Sequence, residues 1–561
     1  MAKTDEKIVR DAVHGYIHID SEYCKIIDTP NFQRLKRLEQ TNVRPLYPCA
    51  HHDRFIHSLG VFHLGKTAFN FLKENSIKDN SIHDRKLPWE DAKLNFELAC
   101  LLHDVGHSPF SHTFEMYYDS KDNKKLNNLL INNENLKCEG REEEKKRFID
   151  DYKNYIKELP KEKKNSRPAQ HEKVSAFLVL SEYYEILSNI KEPIDPFLIA
   201  RMILGLKYEK REKEKLLKER LAFYNCFISL LNSETIDVDK LDYYARDQWA
   251  TGNISKTIDF ERLFSSMYLR QNNERDKVKE GQYVICFHKR AVDDIMAMIE
   301  TKKMIAASMH SHHIVKYDEY VLIRAIKDVA KRATGKEEDE AMREIINISA
   351  LNKSCTYEVG KDIKFKLHLL TDDDLIYLLK YYINESHFAK EWFERSYELK
   401  AVWKTYADYK FFFGYDKEKT ILLLKNIRKI VEEYLEIKKT KKLELPYPET
   451  SNNYYYVEPS EKEYAPILAP KIKIYIKEQV RDLSELRDTK YSENNEEKSR
   501  YFLLYLPKRI VEQEELRNEF VQFVKDAVDE ISEPIQNQDE LTADDLLCIA
   551  EKIEEKIKVN K

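Results

Sequence analysis

His57 in HHDRFIHS, His103 and Asp104 in LLHDVGHSPFSH, and Asp239 in TIDVDKLDYYARD come from segments far apart in the chain, with His171 in AQHEK as an outlying histidine. Any one of the 17 histidines, taken alone, is more often a surface or core residue than a ligand. The order H…HD…D carries more weight. Two further histidines, His107 and His112, follow the pair, and Glu115 stands three residues past the second. Two or three imidazoles with two carboxylates suit Fe, Mn, Zn or Co, and open coordination positions would admit a bridging water and a phosphate oxygen. That is the chemistry of a metal-dependent phosphohydrolase.

Such residues need elements that hold them together. KLNFELACLLHDVGH puts Leu94, Leu98, Leu101, Leu102 and Val105 on one helical stripe, with Gly106 read as the stop. His103 and Asp104 then fall in the last turn, where free carbonyls favour a cation. Ser108-Pro109 reads as the cap and first position of a new helix. On it His112 and Glu115 are three apart, so the carboxylate can fix the imidazole tautomer and raise its basicity, as a general acid or base needs. DVDKLDYYARD reads as a helix carrying Asp239 as ligand, Lys240 as a cation for phosphate, and Tyr243 and Asp247 as polar groups for a sugar. His57 precedes the helical run SLGVFHLGKTAFNFL, with Arg54 three residues upstream. The HSHH run at 310–313 is not read as a second metal site, because three histidines within four positions cannot all face one point on a helix.

The chain has 561 residues, enough for two or three domains, and its 94 basic and 99 acidic residues leave a net charge of only −5. That balance gives no global field for nucleic acid. Eleven glycines against 35 tyrosines and many Lys and Glu residues point to a mainly α fold. The eight scattered cysteines include no C-x-x-C pair, and no apolar run reaches membrane-spanning length, so the expectation is a soluble cytoplasmic protein without a membrane partner. Residues 1–340 are read as the site-bearing core. Within it a charged helical insertion at about 116–170 looks more solvated than buried. A helical region is expected from about 290 to 330. Residues 341–561 form a smaller α+β region for oligomerisation or regulation, where KIKIYIKEQV alternates as a strand should and YFLLYLP is a compact apolar run.

Over 8–115, 171–172 and 236–252 the chain resembles the HD-superfamily deoxynucleoside triphosphate triphosphohydrolases, especially the branch with the SAM-domain-linked HD dNTPase, though no segment resembles a SAM domain. The quoted motifs are VHGYIHID, IIDTPNFQRLKRL, RFIHSLGV, HDVGHSPFSHTFE and IDVDKLDYYARDQWATG. The resemblance implies an HD-domain helical core in which His57, His103, Asp104 and Asp239 bind the transition metal, with Mg accompanying the substrate phosphates. It places His107 and His171 on the phosphates, neutralised also by Arg54 and Lys240. His112, oriented by Glu115 where relatives carry Asp, protonates the departing 5′ oxygen. Gln40, Tyr243 and Asp247 match positions that hold the deoxyribose, and the products are deoxynucleoside and intact triphosphate. Asp28, Gln33 and Lys36 match an allosteric nucleotide site, with Lys36 replacing an Arg and Arg10 an Asn. Lys302, Ala306 and His310 stand where relatives place an Arg, a His and a sugar-stacking Tyr.

A nucleotide-assembled homo-oligomer (dimer, tetramer or hexamer) follows from the same resemblance, in a role either of housekeeping or of defence against foreign replication. Two other readings keep part of the pattern. One is an HD phosphodiesterase or nuclease acting on nucleic acid or cyclic nucleotides through the Lys-rich 121–220 segments. The other is a regulatory protein that senses nucleotides without needing the His112/Glu115 pair.

Overall fold

The computed structural model describes residues 6–78, 87–118, 125–159, 168–190, 194–209, 215–253, 258–271, 283–351, 356–414, 417–458, 471–486 and 501–532. Parts of the charged segments 121–167 and 207–220 therefore lie outside the described residues. The protein is mainly helical with a few small sheets. It divides into two compact units, neither continuous in sequence: 1–305 with 323–386 and 466–489, and 306–322 with 387–465 and 490–561.

The first unit opens with an antiparallel hairpin, β1 (Lys7–Asp11) and β2 (Gly15–Ile19), turning through Gly15 at φ 78°. Helices α1 (Arg54–Lys78), α2 (Trp89–Leu102), α3 (Glu142–Glu158), α4 (Gln170–Leu180), α5 (Pro196–Leu204) and α6 (Val238–Thr251) follow. Leu59, Phe62, Phe69, Phe96, Leu98, Leu101, Val174, Leu178 and Phe197 are buried among them. Each such side chain contributes roughly 1.5–3 kcal/mol of burial. Local signals set the ends. Asp195 caps α5 through the Phe197 N–H, with Pro196 at its first position and Gly205 closing it at φ 66°. Asp237 caps α6 through the Lys240 N–H, and Gly252 closes it at φ 71°.

Two expectations are corrected here. The charged insertion is not simply solvated: Phe148 and Tyr152 on the inner face of α3 are buried, and Asp151 meets Arg201 of α5 at 2.7 Å with both side chains inside. Its Lys and Glu residues lie mostly on the outer face, with Lys145 the buried exception. Nor does the chain divide at a single point near 340. The KIKIYIKEQV run forms a hairpin, β5 (Lys473–Ile476) and β6 (Gln479–Asp482), which joins β3 (Met267–Gln271) and β4 (Tyr283–His288) in one sheet of order β6-β5-β4-β3. β5 lies parallel to β4, with Phe287 opposite Ile474. Ile474 and Cys286 are wholly buried there, so this hairpin belongs to the first unit although its sequence lies deep in the C-terminal region.

The expected 290–330 helix is interrupted: Val292–Ile305 runs into a π-helical turn, Ala306–His310, before His313–Thr334. Lys302 lies in the first of these, and Ala306 and His310 bound the turn. In the second unit, strand Leu503–Pro507 is buried throughout and pairs antiparallel with Leu399–Ala401 and Tyr455–Val457. Trp403, Ile427, Val431, Phe520 and Val524 pack with it, drawn from helices Lys417–Thr440 and Glu514–Ser532 and a loop, which makes this unit α+β. No described helix is long and apolar enough to cross a membrane.

Candidate metal centre

Three donors converge from three helices. His57 lies in the first turn of α1, His103 caps the C-terminal end of α2, and Asp239 lies in the first turn of α6. His57 Nε2 is 3.3 Å from His103 Nε2 and 3.1 Å from Asp239 Oδ1; His103 Nε2 is 3.7 Å from the same oxygen. Asp104 approaches the two imidazoles from its own side, with Oδ1 3.4 Å from His103 Nε2 and Oδ2 3.7 Å from His57 Nε2. Both rings are buried, while the Asp239 side chain is 38% exposed and marks the open side.

The tautomers settle what the ring nitrogens can do. His57 Nδ1 lies 2.7 Å from Asp242 Oδ2, and His103 Nδ1 lies 2.9 Å from the Cys100 carbonyl oxygen. Both oxygens only accept, so each Nδ1 carries a proton and each Nε2 is the nitrogen left to face inward as a ligand. Two such nitrogens and a carboxylate oxygen facing one another call for a cation between them. Ligands about 2.1 Å from one ion stand about 3.0–3.4 Å apart for right-angled to tetrahedral arrangements, close to the separations here. The donor set therefore fits a divalent ion, and nitrogen with carboxylate oxygen suits a first-row transition metal. Burial lowers His57, but the hydrogen bonds it donates to Asp239 and Asp242 outweigh it and raise its pKa to about 9, so a proton competes for this place.

Behind the donors lies a layer the sequence reading did not pick out. Asp242 is wholly buried and accepts from His57 Nδ1, from His14 Nε2 at 2.6 Å, and from Arg246 Nε at 2.9 Å and Nη2 at 2.8 Å. Arg246 in turn reaches Asp11 at 2.8 Å. Burial would raise the Asp242 carboxyl, yet Arg246 and the two histidines hold it well below the usual range. The β1–β2 hairpin is thus keyed into the metal centre by Asp11 and His14. Gly60 makes room for this: a Cβ there would stand 1.9 Å from Asp242 Oδ1. The available signal was spacing, since Asp242 follows Asp239 by three and so shares its helical face.

A second cluster adjoins the first. His107 Nε2 lies 3.2 Å from Asp104 Oδ1, and Glu115 Oε1 lies 2.8 Å from His107 Nδ1, 2.8 Å from His171 Nδ1 and 3.2 Å from His112 Nδ1. The rings of His107 and His171 stack at 3.8 Å. Burial, with the charges of Arg54 and His171, lowers His107 to about 3, so it is neutral. Burial opposes protonation of His171 too, but Glu115 prevails and raises it to about 9, so it is cationic at neutral pH. His112 is 69% exposed and faces outward from the same carboxylate. The helix expected from Ser108 does not form. Phe110 and Ser111 adopt left-handed φ values of 51° and 54°, and only 3-10 turns, Ser111–Thr113 and Glu115–Tyr118, follow. Gly106 serves less as a helix stop than as a gap for α4, since a Cβ would stand 2.4 Å from Ser175 N.

Arg54 is buried against the metal centre, with Nη1 2.5 Å from Asp104 Oδ2 and Nε donating to Ser111 Oγ. Lys240 is turned onto Asp237 and the Ser233 carbonyl. Gln40 Oε1 is buried with no hydrogen-bond partner among the described residues, and Asp247 Oδ1 lies 3.0 Å from His52 Nε2. Tyr243 packs edge-on against Tyr244. Asp28 pairs with Lys7 at 3.0 Å, Gln33 donates to the Ile27 carbonyl, and the Lys36 ammonium lies over the Phe55 ring. None of His310, His312 or His313 belongs to a metal-competent donor group among the described residues.

The HD domain family matches residues 54–246, which holds every donor above. The chain is 26% identical over 349 residues to the deoxynucleoside triphosphate triphosphohydrolase SAMHD1 homolog of Dictyostelium discoideum, covering 62% of this chain and 54% of that protein. It is 28% identical over 323 residues to deoxynucleoside triphosphate triphosphohydrolase SAMHD1 of Gallus gallus, covering 57% and 45%. The chain spans about half the length of these curated relatives. A crystal structure of a phosphohydrolase from Bacteroides thetaiotaomicron shares the fold, with a TM-score of 0.54 at 18% identity, over 90% of this chain and 100% of that one. Residues 54–246 match the HD domain family, and the chain is similar to the SAMHD1-type deoxynucleoside triphosphate triphosphohydrolases.

Proposed function

We propose that this chain is an HD-type phosphohydrolase that converts deoxynucleoside triphosphates to deoxynucleoside and inorganic triphosphate. The observation that carries this reading is the inward-facing His57, His103 and Asp239 donor set, joined through Asp104 and His107 to a carboxylate that serves three imidazoles. His57, His103, Asp104 and Asp239 would hold a divalent ion, which when bound would supply Lewis-acid chemistry at a phosphoryl oxygen and activate water for attack.

The chain's own groups have separable tasks. Asp242 and the Cys100 carbonyl hold the two ligand imidazoles in the tautomer that offers Nε2. Arg54 fixes Asp104, and the cationic His171 stabilises negative charge on the phosphates. His112 stands exposed with Nδ1 toward Glu115, which leaves Nε2 as the acid for the departing 5′ oxygen. Gln40, Tyr243 and Asp247 hold the deoxyribose, and Gln40 Oε1 is an acceptor still awaiting a partner. Lys240 reaches a phosphate only by releasing Asp237. Regulation by a nucleotide at Asp28, Gln33 and Lys36, and assembly into a homo-oligomer, belong to the same reading.

The test is direct. Purified protein with Mn or Mg is incubated with each dNTP and NTP, singly and in pairs, and the products are separated by charge. Deoxynucleoside and triphosphate are expected; pyrophosphate or monophosphate rejects the reaction.

A further inference from the structure

Asp372 opens the helix Asp372–Tyr381, α7, more than 250 residues beyond the His112 turn in sequence and within the same compact unit. It is 4% exposed. Its Oδ1 accepts from the Phe110 N–H at 2.6 Å and its Oδ2 from the Glu39 N–H at 2.8 Å. Phe110 is the left-handed residue that starts the Ser111–Thr113 turn, so this carboxylate holds a backbone conformation that L side chains rarely adopt. Ser111 is held from the other side. Its Oγ donates to the Glu39 carbonyl at 2.5 Å and accepts from Arg54 Nε at 2.8 Å.

The approach to α7 is fixed as firmly. Arg34, 3% exposed, donates from Nη1 to the Leu370 carbonyl and from Nη2 to the carbonyls of Val105 and His107. One guanidinium therefore ties the segment leading into α7 to the loop that follows His103 and Asp104. The other two acids at the start of the helix do different work: Asp373 meets Arg37 at the surface, and Asp374 completes a capping box with Thr371. Only Asp372 faces the site.

We propose that Asp372 is a positioning residue, whose two carboxylate oxygens hold the Phe110–Ser111 turn so that His112 and Glu115 keep their places beside His107. This rests on the reading of His112 and Glu115 as the proton-transfer pair. The chemistry explains the residue type. Two N–H groups point at one side chain, and only a carboxylate offers an acceptor to each; Asn would turn its own NH2 toward one of them. Keeping a carboxyl in this place is costly, since burial raises it to about 7 even against the pull of the Glu39 and Phe110 N–H groups. An apolar residue would pack there at less cost, but would leave the turn without its clamp.

The test uses the full chain loaded with Mn, carrying Asp372→Asn, Asp372→Ala or, as a surface control, Asp373→Ala. Three readouts are taken together: metal per chain, amide exchange at Phe110 and Glu39, and kcat and KM for dNTP hydrolysis. Asp372→Asn should retain metal and melt close to wild type, while exchange at Phe110 accelerates by about tenfold or more. Its kcat should fall on the order of 10- to 100-fold with KM within about twofold, as expected when a reacting group shifts by a fraction of its reach. Asp372→Ala should be the more severe, and Asp373→Ala should match wild type. Unchanged kcat in Asp372→Asn, or undiminished protection of the Phe110 amide, overturns the proposal. So does a loss of metal that accounts for the loss of rate. If the wild-type chain does not hydrolyse dNTPs, the functional reading falls, while the Phe110 exchange and metal readouts still decide whether Asp372 holds the turn.

Discussion

At the scale of single residues, the centre depends as much on what stands behind the ligands as on the ligands. Asp242→Asn would turn an NH2 group or a single oxygen toward four donors, so His57 loses the partner that fixes its tautomer. Metal affinity should fall by roughly 10- to 100-fold, measured by titration against a competing chelator. His103→Ala with Asp104→Ala should abolish both bound metal and turnover; surviving turnover would contradict the donor assignment. His171 yields a pH prediction. Its folded pKa of about 9 lies above the ordinary value of 6.5, so its pairing with Glu115 stabilises fully below about pH 6.5 and is lost as pH rises through about 9. His171→Gln should lose on the order of 1–3 kcal/mol at neutral pH and little at high pH, seen in melting curves across the range. His57, His103 and Asp239, which the structure brings within donor reach of one another, were legible because few residue types bind such metals and their order is distinctive. Asp242, His14 and Asp11 were not, because a buried acceptor and a surface acid look alike until the hairpin and α6 are brought together. Lys240, read as a cation for phosphate, is paired with its own helix cap, Asp237, three residues away, a partner its sequence position did not announce.

At the scale of elements, the site is a junction of helix ends. α1 and α6 come close only because position 60 has no side chain. Gly60→Ala gains about 1 kcal/mol of helix propensity. It also forces a methyl to within 1.9 Å of Asp242 Oδ1 in a packed, charged network, where overpacking costs typically 1–3 kcal/mol. The steric term should win, with a lower melting temperature and weaker metal retention than wild type. Helical character was legible in α1, α2 and α6, although α1 over 57–62 and α2 over 95–102 are buried all round rather than along one stripe. Local pattern failed between 108 and 118. Ser-Pro is a sound helix start in isolation, but here the Phe110 and Ser111 backbone is bent left-handed and tied to Glu39, Arg54 and Asp372. Those partners are remote in sequence, and no local pattern encodes them. The inner face of α3 was hidden in a similar way, because its few apolar residues are diluted by Lys and Glu on the outer face.

At the scale of the whole molecule, the first unit is assembled from three stretches of sequence, and its sheet needs the last of them. Ile474→Asp would bury a charge opposite Phe287 and should destabilise that unit by several kcal/mol, read as faster amide exchange along β4. The strand character of 471–480 was legible from alternation alone, but its partner was not, because alternation carries no address. The parallel pairing of β4 with β5 also has a temporal side. Residues 283–288 leave the ribosome about 10–40 s before residues 473–476 at ordinary rates of synthesis. Throughout that interval the nascent chain carries a strand with one bare edge, a template for pairing with a neighbouring polypeptide. A messenger or protease that cuts the product short of residue 473 makes that interval permanent.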